Sequence, residues 1–465
     1  MGKVERVVFL SLVLDLFAFT VPLPLFPRII EWYTKRETSD PNGLLSRTLG
    51  FVSTIRGQLY TSSQNPQRWD VVLLGGLMGS VFSTLQFVVS PYIGSLSDKY
   101  GRKRILLITM IGNILSAVVW IQSTTFASYM LSRVIGGLSE GNVQLAIAIL
   151  SDVTTPANRA KALAHVGIAF AICFCIGPPI GAYFASRPVL LGSSLGIELN
   201  IYAAPAILTL VLLVAETLFL MLALPETRGK GPTLTKAEKL NGTSKTNGKV
   251  SRAGTVEQRT SLLKALRRLH FLFLGIFSGV EFTLTFLTFD LFDWSNKQNG
   301  ALIGSIGIVS ALLQGGYVRR AMTKVGELNM ARRGVSACAM GLVSLAILPH
   351  FTISRPVLAF RLLQVAAVCL AFTSATVVNS LTAHASLQCD ENIDPDTGKP
   401  VEGSSELAKG KALGKFRSSG QLGRAIGPLL ACASYWTFGP SVTYAVSAVA
   451  MTALAARMRR LAATL

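Results

Sequence analysis

The amino-acid sequence predicts an all-α integral membrane protein: twelve transmembrane helices in two pseudo-symmetric six-helix bundles. Three observations carry that expectation. Half of the 465 residues are hydrophobic and 15% are charged, against about 25% charge in soluble domains. The apolar residues fall into runs, many of which reach the roughly 20 residues that a helix needs to cross a bilayer. Short matches between the two halves of the chain recur at consistent offsets, as in a duplicated bundle. A net charge of +20 would suggest nucleic acid in a soluble chain. Here the basic residues sit between the apolar runs as topology signals, and no nucleic-acid partner is expected.

Span one is expected over residues 7–30. Its length, the acidic Asp15 within it and the lack of a small-residue cleavage site make it a retained span, not a signal peptide. Spans two to six follow at 71–92, 104–122, 126–150, 160–184 and 201–224, and spans seven to twelve at 271–292, 301–317, 335–350, 357–381, 410–436 and 442–457. Lys99 and Arg102 to Arg104 follow span two, Arg159 and Lys161 span four, Arg228 to Arg268 span six, and Arg319, Arg320, Lys324, Arg332 and Arg333 span eight. The positive-inside tendency makes that side, with both termini, the cytoplasmic one, whether in the plasma membrane or an organelle membrane.

Residues 31–69 are long for a simple loop. Leu45, Leu49, Val52, Ile55 and Leu59 recur there at helical spacing, which predicts an amphipathic helix on the outer or luminal surface. Residues 225–270, rich in Gly, Thr and Lys, read as a cytoplasmic linker closed by a short basic helix on the inner leaflet, with Leu262, Leu263, Leu266 and Leu269 on one face. Three units result: an N-terminal bundle at 1–224, the linker at 225–270 and a C-terminal bundle at 271–465. The sequon at Asn241 falls in the linker and is expected to be unmodified. Six cysteines show neither metal-ligand nor disulfide-framework spacing, so free thiols and no metal are expected.

The repeat is visible residue by residue. Lys161-Ala162-Leu163 and Ile176-Gly177-Pro178 recur 250 residues later as Lys411-Ala412-Leu413 and Ile426-Gly427-Pro428. Arg133 matches Arg361 at 228, and Tyr92, Lys99 and Gly101 match Tyr317, Lys324 and Gly326 at 225. Aligning Leu25-Phe26 with Leu291-Phe292 gives 266, which places Asp15 of span one on Glu281 of span seven. Each half then carries one buried acid at the same place.

Arg133, Gly137, Glu140 and Gln144 step by four, three and four, so one face of span four is polar. Such a stripe cannot face lipid; it lines a cavity or packs on another polar helix. Arg361 and Gln364 form the equivalent face of span ten, and Arg424 sits within span eleven. Asn142 and Asn379 add polar groups, while Glu216 in span six reads as an interhelical contact. No Gly-Lys-Ser/Thr phosphate loop or other catalytic constellation is present, so neither an enzyme nor ATP drive is expected, and no cofactor.

Between spans two and three, Gly94-Ser-Leu-Ser-Asp-Lys-Tyr-Gly-Arg-Lys-Arg104 resembles the loop signature of the major facilitator superfamily at every defining position. The resemblance covers the whole twelve-span chain. It implies two bundles rocking about a central cavity, with Gly94, Asp98, Gly101 and Arg102 forming a cytoplasmic latch in the outward-open state. Gly177-Pro178-Pro179-Ile180-Gly181 in span five resembles the antiporter signature, with Ala164, Cys173 and Ala182 where that signature has glycine. Asp15-Leu-Phe-Ala-Phe-Thr20, Ser132-Arg-Val-Ile-Gly-Gly137, Ser278-Gly-Val-Glu-Phe-Thr-Leu284 and Arg424-Ala-Ile-Gly-Pro428 are similar to the eukaryotic tetracycline-transporter-like branch.

That likeness implies a monomeric proton-coupled antiporter that exports small amphipathic organic compounds by alternating access. Asp15 and Glu281 are then proton carriers, or alternatively structural ion-pair members. Arg133 holds Asp15 ionised or meets an anionic substrate. Glu140, Gln144, Asn142, Arg361, Gln364 and Arg424 line the cavity. The competing expectation is an organic-anion exchanger or facilitator without protons, in which the arginines bind substrate.

Overall fold

The structure, a computed structural model, describes residues 2–22, 25–37, 40–59, 66–185, 199–229, 255–294, 296–389 and 405–463, and all regular elements among them are helical. In the first half, α1 (Lys3–Thr20) and α2 (Phe26–Arg36) follow the predicted span one, and α3 (Leu44–Leu59) lies in the long loop. Spans two and three are α4 (Pro66–Tyr100) and α5 (Arg102–Ile121). Span four is split into α6 (Phe126–Ser139) and α7 (Asn142–Val153). Spans five and six are α8 (Pro156–Ala185) and α9 (Ala203–Ala223).

In the second half, α10 (Val256–Phe292) is span seven. Span eight is α11 (Asn296–Leu313), a π-helical turn (Gln314–Val318) and α12 (Arg319–Val325). Spans nine and ten are α13 (Glu327–Ile347) and α14 (Pro356–Leu387). The last element, α15 (Lys409–Ala463), is broken at Gly439, whose φ of 80° is left-handed, just before Pro440. It supplies spans eleven and twelve. Twelve successive crossings bring the start of α1 and the end of α15 to the same end of the bundles, the terminal side.

Four elements differ from expectation. Span one is not one helix: the ladder stops after Thr20, where Pro22 and Pro24 bring no backbone N–H, and α2 starts anew. Span four is interrupted at Glu140, extended at ψ 97°, and Gly141, where a Cβ would press on Ile93 and Thr109. The basic helix expected on the membrane surface is instead the start of span seven. A Thr255–Gln258 capping box starts it, and Leu262, Leu263, Leu266 and Leu269 are buried in the protein core. α3 is the helix predicted from its leucines, but Leu45 joins a core of Ile29, Tyr33, Trp120 and Tyr129. Asn241 and most of the linker lie outside the described residues.

Glycine seams realise the repeat. A Cβ on Gly177 would run into the Thr20 side chain and one on Gly181 into the Val21 carbonyl, so span five lies directly on span one. The counterpart Gly427 faces the Gly275 backbone, which puts span eleven on span seven in the same way. Gly101 and Gly326, 225 residues apart, both have positive φ (105° and 84°) immediately before spans three and nine.

Candidate functional site

A cavity of about 330 Å³ lies between the bundles. Asp15 of span one, Glu140 and Gln144 of span four, Glu281 of span seven and Arg424 of span eleven line it. The break in span four puts Glu140 on this wall, because an extended residue escapes the helical rotation of its neighbours. Glu281 and Arg424 are exposed, so solvent reaches the cavity.

Asn142 does not line the cavity. It stands behind Asp15, with Nδ2 donating to Oδ1 at 2.6 Å, and accepts from the Thr109 hydroxyl at 3.2 Å. Arg133 is also off the main cavity. Its guanidinium lies over the rings of Trp120 (5.5 Å) and Tyr129 (5.4 Å), beside a second chamber of about 60 Å³ inside the N-terminal half. Asp15 and Glu140 line both spaces. Glu216 is wholly buried and accepts from Ser11 Oγ at 3.0 Å, one turn before Asp15.

Arg361 and Gln364, expected on the cavity face of span ten, do not line the cavity. Both are exposed, and Arg361 Nη1 donates to Gln364 Oε1 at 3.1 Å. Span ten reaches the cavity through Ser374, Val378, Asn379 and Thr382 instead. Arg361 precedes Ser374 by 13 residues, about 20 Å of helix rise, so the polar residues near the start of the helix cannot extend to its cavity-facing part.

Sequence reasoning missed Arg417, Gln421 and His270. Arg417, Gln421 and Arg424 occupy positions i, i+4 and i+7 of span eleven and all line the cavity, so the same stepping argument that picked out span four would have found them. At the repeat offset of 250, span five presents Gly167, Ala171 and Phe174 to the same cavity. One half therefore gives a guanidinium and amide wall where the other gives an apolar one. Phe174 continues into an aromatic chain, with Phe170–Phe174 centroids at 6.1 Å, Phe19–Phe174 at 6.3 Å and Phe19–Phe82 at 6.3 Å. The His270 ring stacks on Phe416 at 4.2 Å, and its Nδ1 lies 3.1 Å from the Phe416 carbonyl.

The terminal side is closed. Asp98 caps the start of span eleven, accepting from Gly410 N at 2.9 Å and Lys411 N at 2.7 Å. Arg102 Nη1 pairs with Asp98 at 2.7 Å and its Nε with Asp152 at 2.9 Å, while Lys409 Nζ reaches Asp152 at 3.5 Å. Gly94 and Gly410 allow this contact, since a Cβ on either would strike the other's carbonyl. Arg159 Nη1 adds a bond to the Ser386 carbonyl at 3.3 Å. Glu226, just past span six, caps span three, receiving Arg102 N at 2.9 Å and Lys103 N at 3.2 Å.

Two helical bundles around a central cavity that is largely apolar but carries five charged groups, sealed at one end, define a secondary transporter, not an enzyme. The chain belongs to the Major Facilitator Superfamily, whose sequence profile matches residues 8–392. It is similar to human major facilitator superfamily domain-containing protein 10, at 34% identity over 447 residues, covering 95% of this chain and 89% of the relative. It also resembles the class H tetracycline resistance protein of Pasteurella multocida, at 26% over 356 residues, 76% of this chain and 78% of that one. The crystal structure of the human organic anion transporter MFSD10 (TETRAN) superposes with a TM-score of 0.77 at 29% identity, covering 98% and 99% of the two chains. The proton:xylose symporter XylE shares the fold, with a TM-score of 0.65 at 15% identity over 98% and 95%.

Proposed function

We propose that this transporter is a proton-coupled carrier of small amphipathic organic compounds, acting by alternating access, and that its preferred substrates carry an acidic group. The observation that carries this reading is the pair Arg417 and Arg424 on one face of span eleven, opposite the aromatic wall of Phe19, Phe82, Phe170 and Phe174. The guanidiniums suit a carboxylate or sulfonate and the rings suit an apolar body. The description of human MFSD10 as an organic anion transporter supports the same class.

In this proposal residues 1–224 and 271–465 rock as two units joined by 225–270, and one chain holds a complete cavity. Asp15, Glu140 and Glu281 exchange protons, with Arg133 beside the side chamber that Asp15 and Glu140 share with the cavity. Asp98 and Arg102, with Gly94 and Gly101, latch the terminal side, which the positive-inside tendency makes cytoplasmic. The span-five glycines Gly177 and Gly181 with Pro178 would support antiport; proton-independent anion exchange is the second reading, favoured by the two cavity arginines.

The test is internal pH in proteoliposomes of purified protein, with naphthalene-1-sulfonate as the anionic probe and tetraphenylphosphonium as the cationic one. Proton movement triggered by the anion and absent with Asp15→Asn is the expected result. Counterflow of labelled anion without proton movement would replace the proposal by the exchange reading.

A further inference from the structure

We infer that a proton and an organic anion are carried in the same direction, and that Arg417 is the group through which they are coupled. This rests on the proposed anion-carrying function and fixes the sense of coupling, which the span-five motif alone would make antiport.

The argument is one of charge. The charged groups lining the cavity are the carboxylates of Asp15, Glu140 and Glu281 and the guanidiniums of Arg417 and Arg424, so full ionisation leaves one negative charge in excess. Among the described residues, no salt bridge pairs any of the five. Arg417, on the C-terminal half, lines the same cavity as Asp15 and Glu140 of the N-terminal half, and opposite charges facing one enclosed space attract. The surrounding groups do not alter the balance. Arg133 and Glu216, behind the N-terminal wall, are opposite in sign. His270, next to Arg417 and Arg424, has its Nδ1 engaged by the Phe416 carbonyl, and Cys173 is a thiol that bonds the Val13 carbonyl.

An anion entering the fully ionised cavity meets net negative charge and an Arg417 for which it competes with two carboxylates. Protonating two acids reverses the net sign and frees Arg417. Proton and anion therefore favour each other's binding, and this linkage is reciprocal. An organic cation would do the opposite and compete with protons for Asp15 and Glu140, which is antiport.

Sealing the cavity removes its charges from water, so the states that cross most readily are neutral ones. The empty cavity is neutral with one proton, and the cavity holding a monovalent anion is neutral with two. One proton then accompanies each anion, and the cycle moves no net charge.

Proteoliposomes of the full chain, with potassium and valinomycin clamping the membrane potential at zero, test this using labelled naphthalene-1-sulfonate, which stays anionic at every pH used. Acid on the side of the added anion should drive accumulation, about tenfold for each unit of pH gradient at one proton per anion. Changing the clamped potential should leave that ratio unchanged. In detergent, the wild-type Kd for naphthalene-1-sulfonate should weaken by up to about tenfold per pH unit over the range where the acids ionise. Asp15→Asn/Glu140→Gln should bind it with little pH dependence. Arg417→Gln should lose binding, and Arg417→Lys, which keeps the charge, should retain the pH dependence.

Accumulation driven by acid on the opposite side, or transport indifferent to the gradient, overturns the inference. So does a pH-independent wild-type Kd, which needs no variant. Transport of tetraphenylphosphonium with none of naphthalene-1-sulfonate refutes the anion-carrying function itself.

Discussion

Asp98→Asn tests the closed terminal side most directly. The carboxylate accepts two backbone N–H groups at the start of span eleven, at 2.9 and 2.7 Å, and pairs with Arg102 at 2.7 Å. Asparagine keeps one acceptor oxygen and turns an N–H towards the second donor. Losing one charge-assisted bond costs about 1.5–3 kcal/mol. Weakening an ion pair whose Asp98 side chain is 19% exposed adds about 0.5–1 kcal/mol. Arg102 stays anchored by Asp152 at 2.9 Å and Ser97 Oγ at 2.6 Å, so the loop itself should survive. The closed state thus loses about 2–4 kcal/mol, and the open population rises roughly 30- to 1000-fold. Cys389 reports on this. It is 1% exposed beside this seam, and burial pushes its thiol up to about 12, so it is inert while the end is closed. Alkylation by N-ethylmaleimide, read by mass spectrometry, should accelerate at Cys389 by that factor but not at buried Cys432 in span eleven. An unchanged Cys389 rate, or equal acceleration at Cys432, would refute the reasoning.

Further predictions concern other joints. Gly167→Ala puts a methyl against Asn379 and Gln314, where spans ten and eight meet span five, and should open the same seam by about 1–3 kcal/mol, read again at Cys389. Tyr33→Phe removes a hydroxyl that donates to the Ser123 carbonyl at 2.9 Å and accepts from Asn200 Nδ2 at 2.8 Å; it should cost about 1–3 kcal/mol in thermal stability without changing the pH dependence of transport. For Glu226, burial opposes the charge, but backbone N–H groups of Arg228, Arg102, Thr227 and Lys103 outweigh it and hold the carboxyl below its ordinary value. Its stabilisation is therefore present above the unfolded carboxyl value and lost as pH falls through the lower folded one. Glu226→Gln should flatten that acidic limb of a stability–pH profile, and an unaltered limb counts against the cap.

Much of this architecture was legible because it depends on composition and on backbone approach. Long apolar runs mark spans, glycines pressed against a neighbouring helix recur where the packing recurs, and glycines of positive φ recur where the turn recurs, which is why Gly177 and Gly427, or Gly101 and Gly326, could be paired by offset alone. Asp15 and Glu281, matched in the same way, do line one cavity. Helix phase was harder to read. The match of Arg361 to Arg133 points to the cavity, yet neither arginine lines the main cavity, and the match says only that the two helices correspond. The interruption at Glu140 and Gly141 covers two residues, too few to lower the hydropathy of a whole span. Arg417 is hidden in the sequence because it stands close to the basic start of span eleven, among Lys409, Lys411 and Lys415, where a single arginine looks like one more topology charge.

The repeat accounts for the shape of the molecule, and its violations make the two walls of the cavity chemically different. Span eleven is span five with Gly167, Ala171 and Phe174 replaced by Arg417, Gln421 and Arg424, while span four supplies Glu140 at a break that its counterpart, the unbroken span ten, does not reproduce. Asp15 and Glu140 on one side of the cavity and Arg417 on the other therefore stand on opposite bundles. Any rocking of one bundle against the other changes the separation of those charges, and any neutralisation of them changes the attraction between the bundles. Placing both partners on the same bundle would leave their separation untouched by rocking. Moving the guanidinium from Arg417 to the cavity-lining Phe174 of span five by the double change Arg417→Gln/Phe174→Arg is the corresponding test: it should abolish pH-driven accumulation even if the protein still binds anion, and persistence of that accumulation would mean that coupling does not require charges on opposing halves.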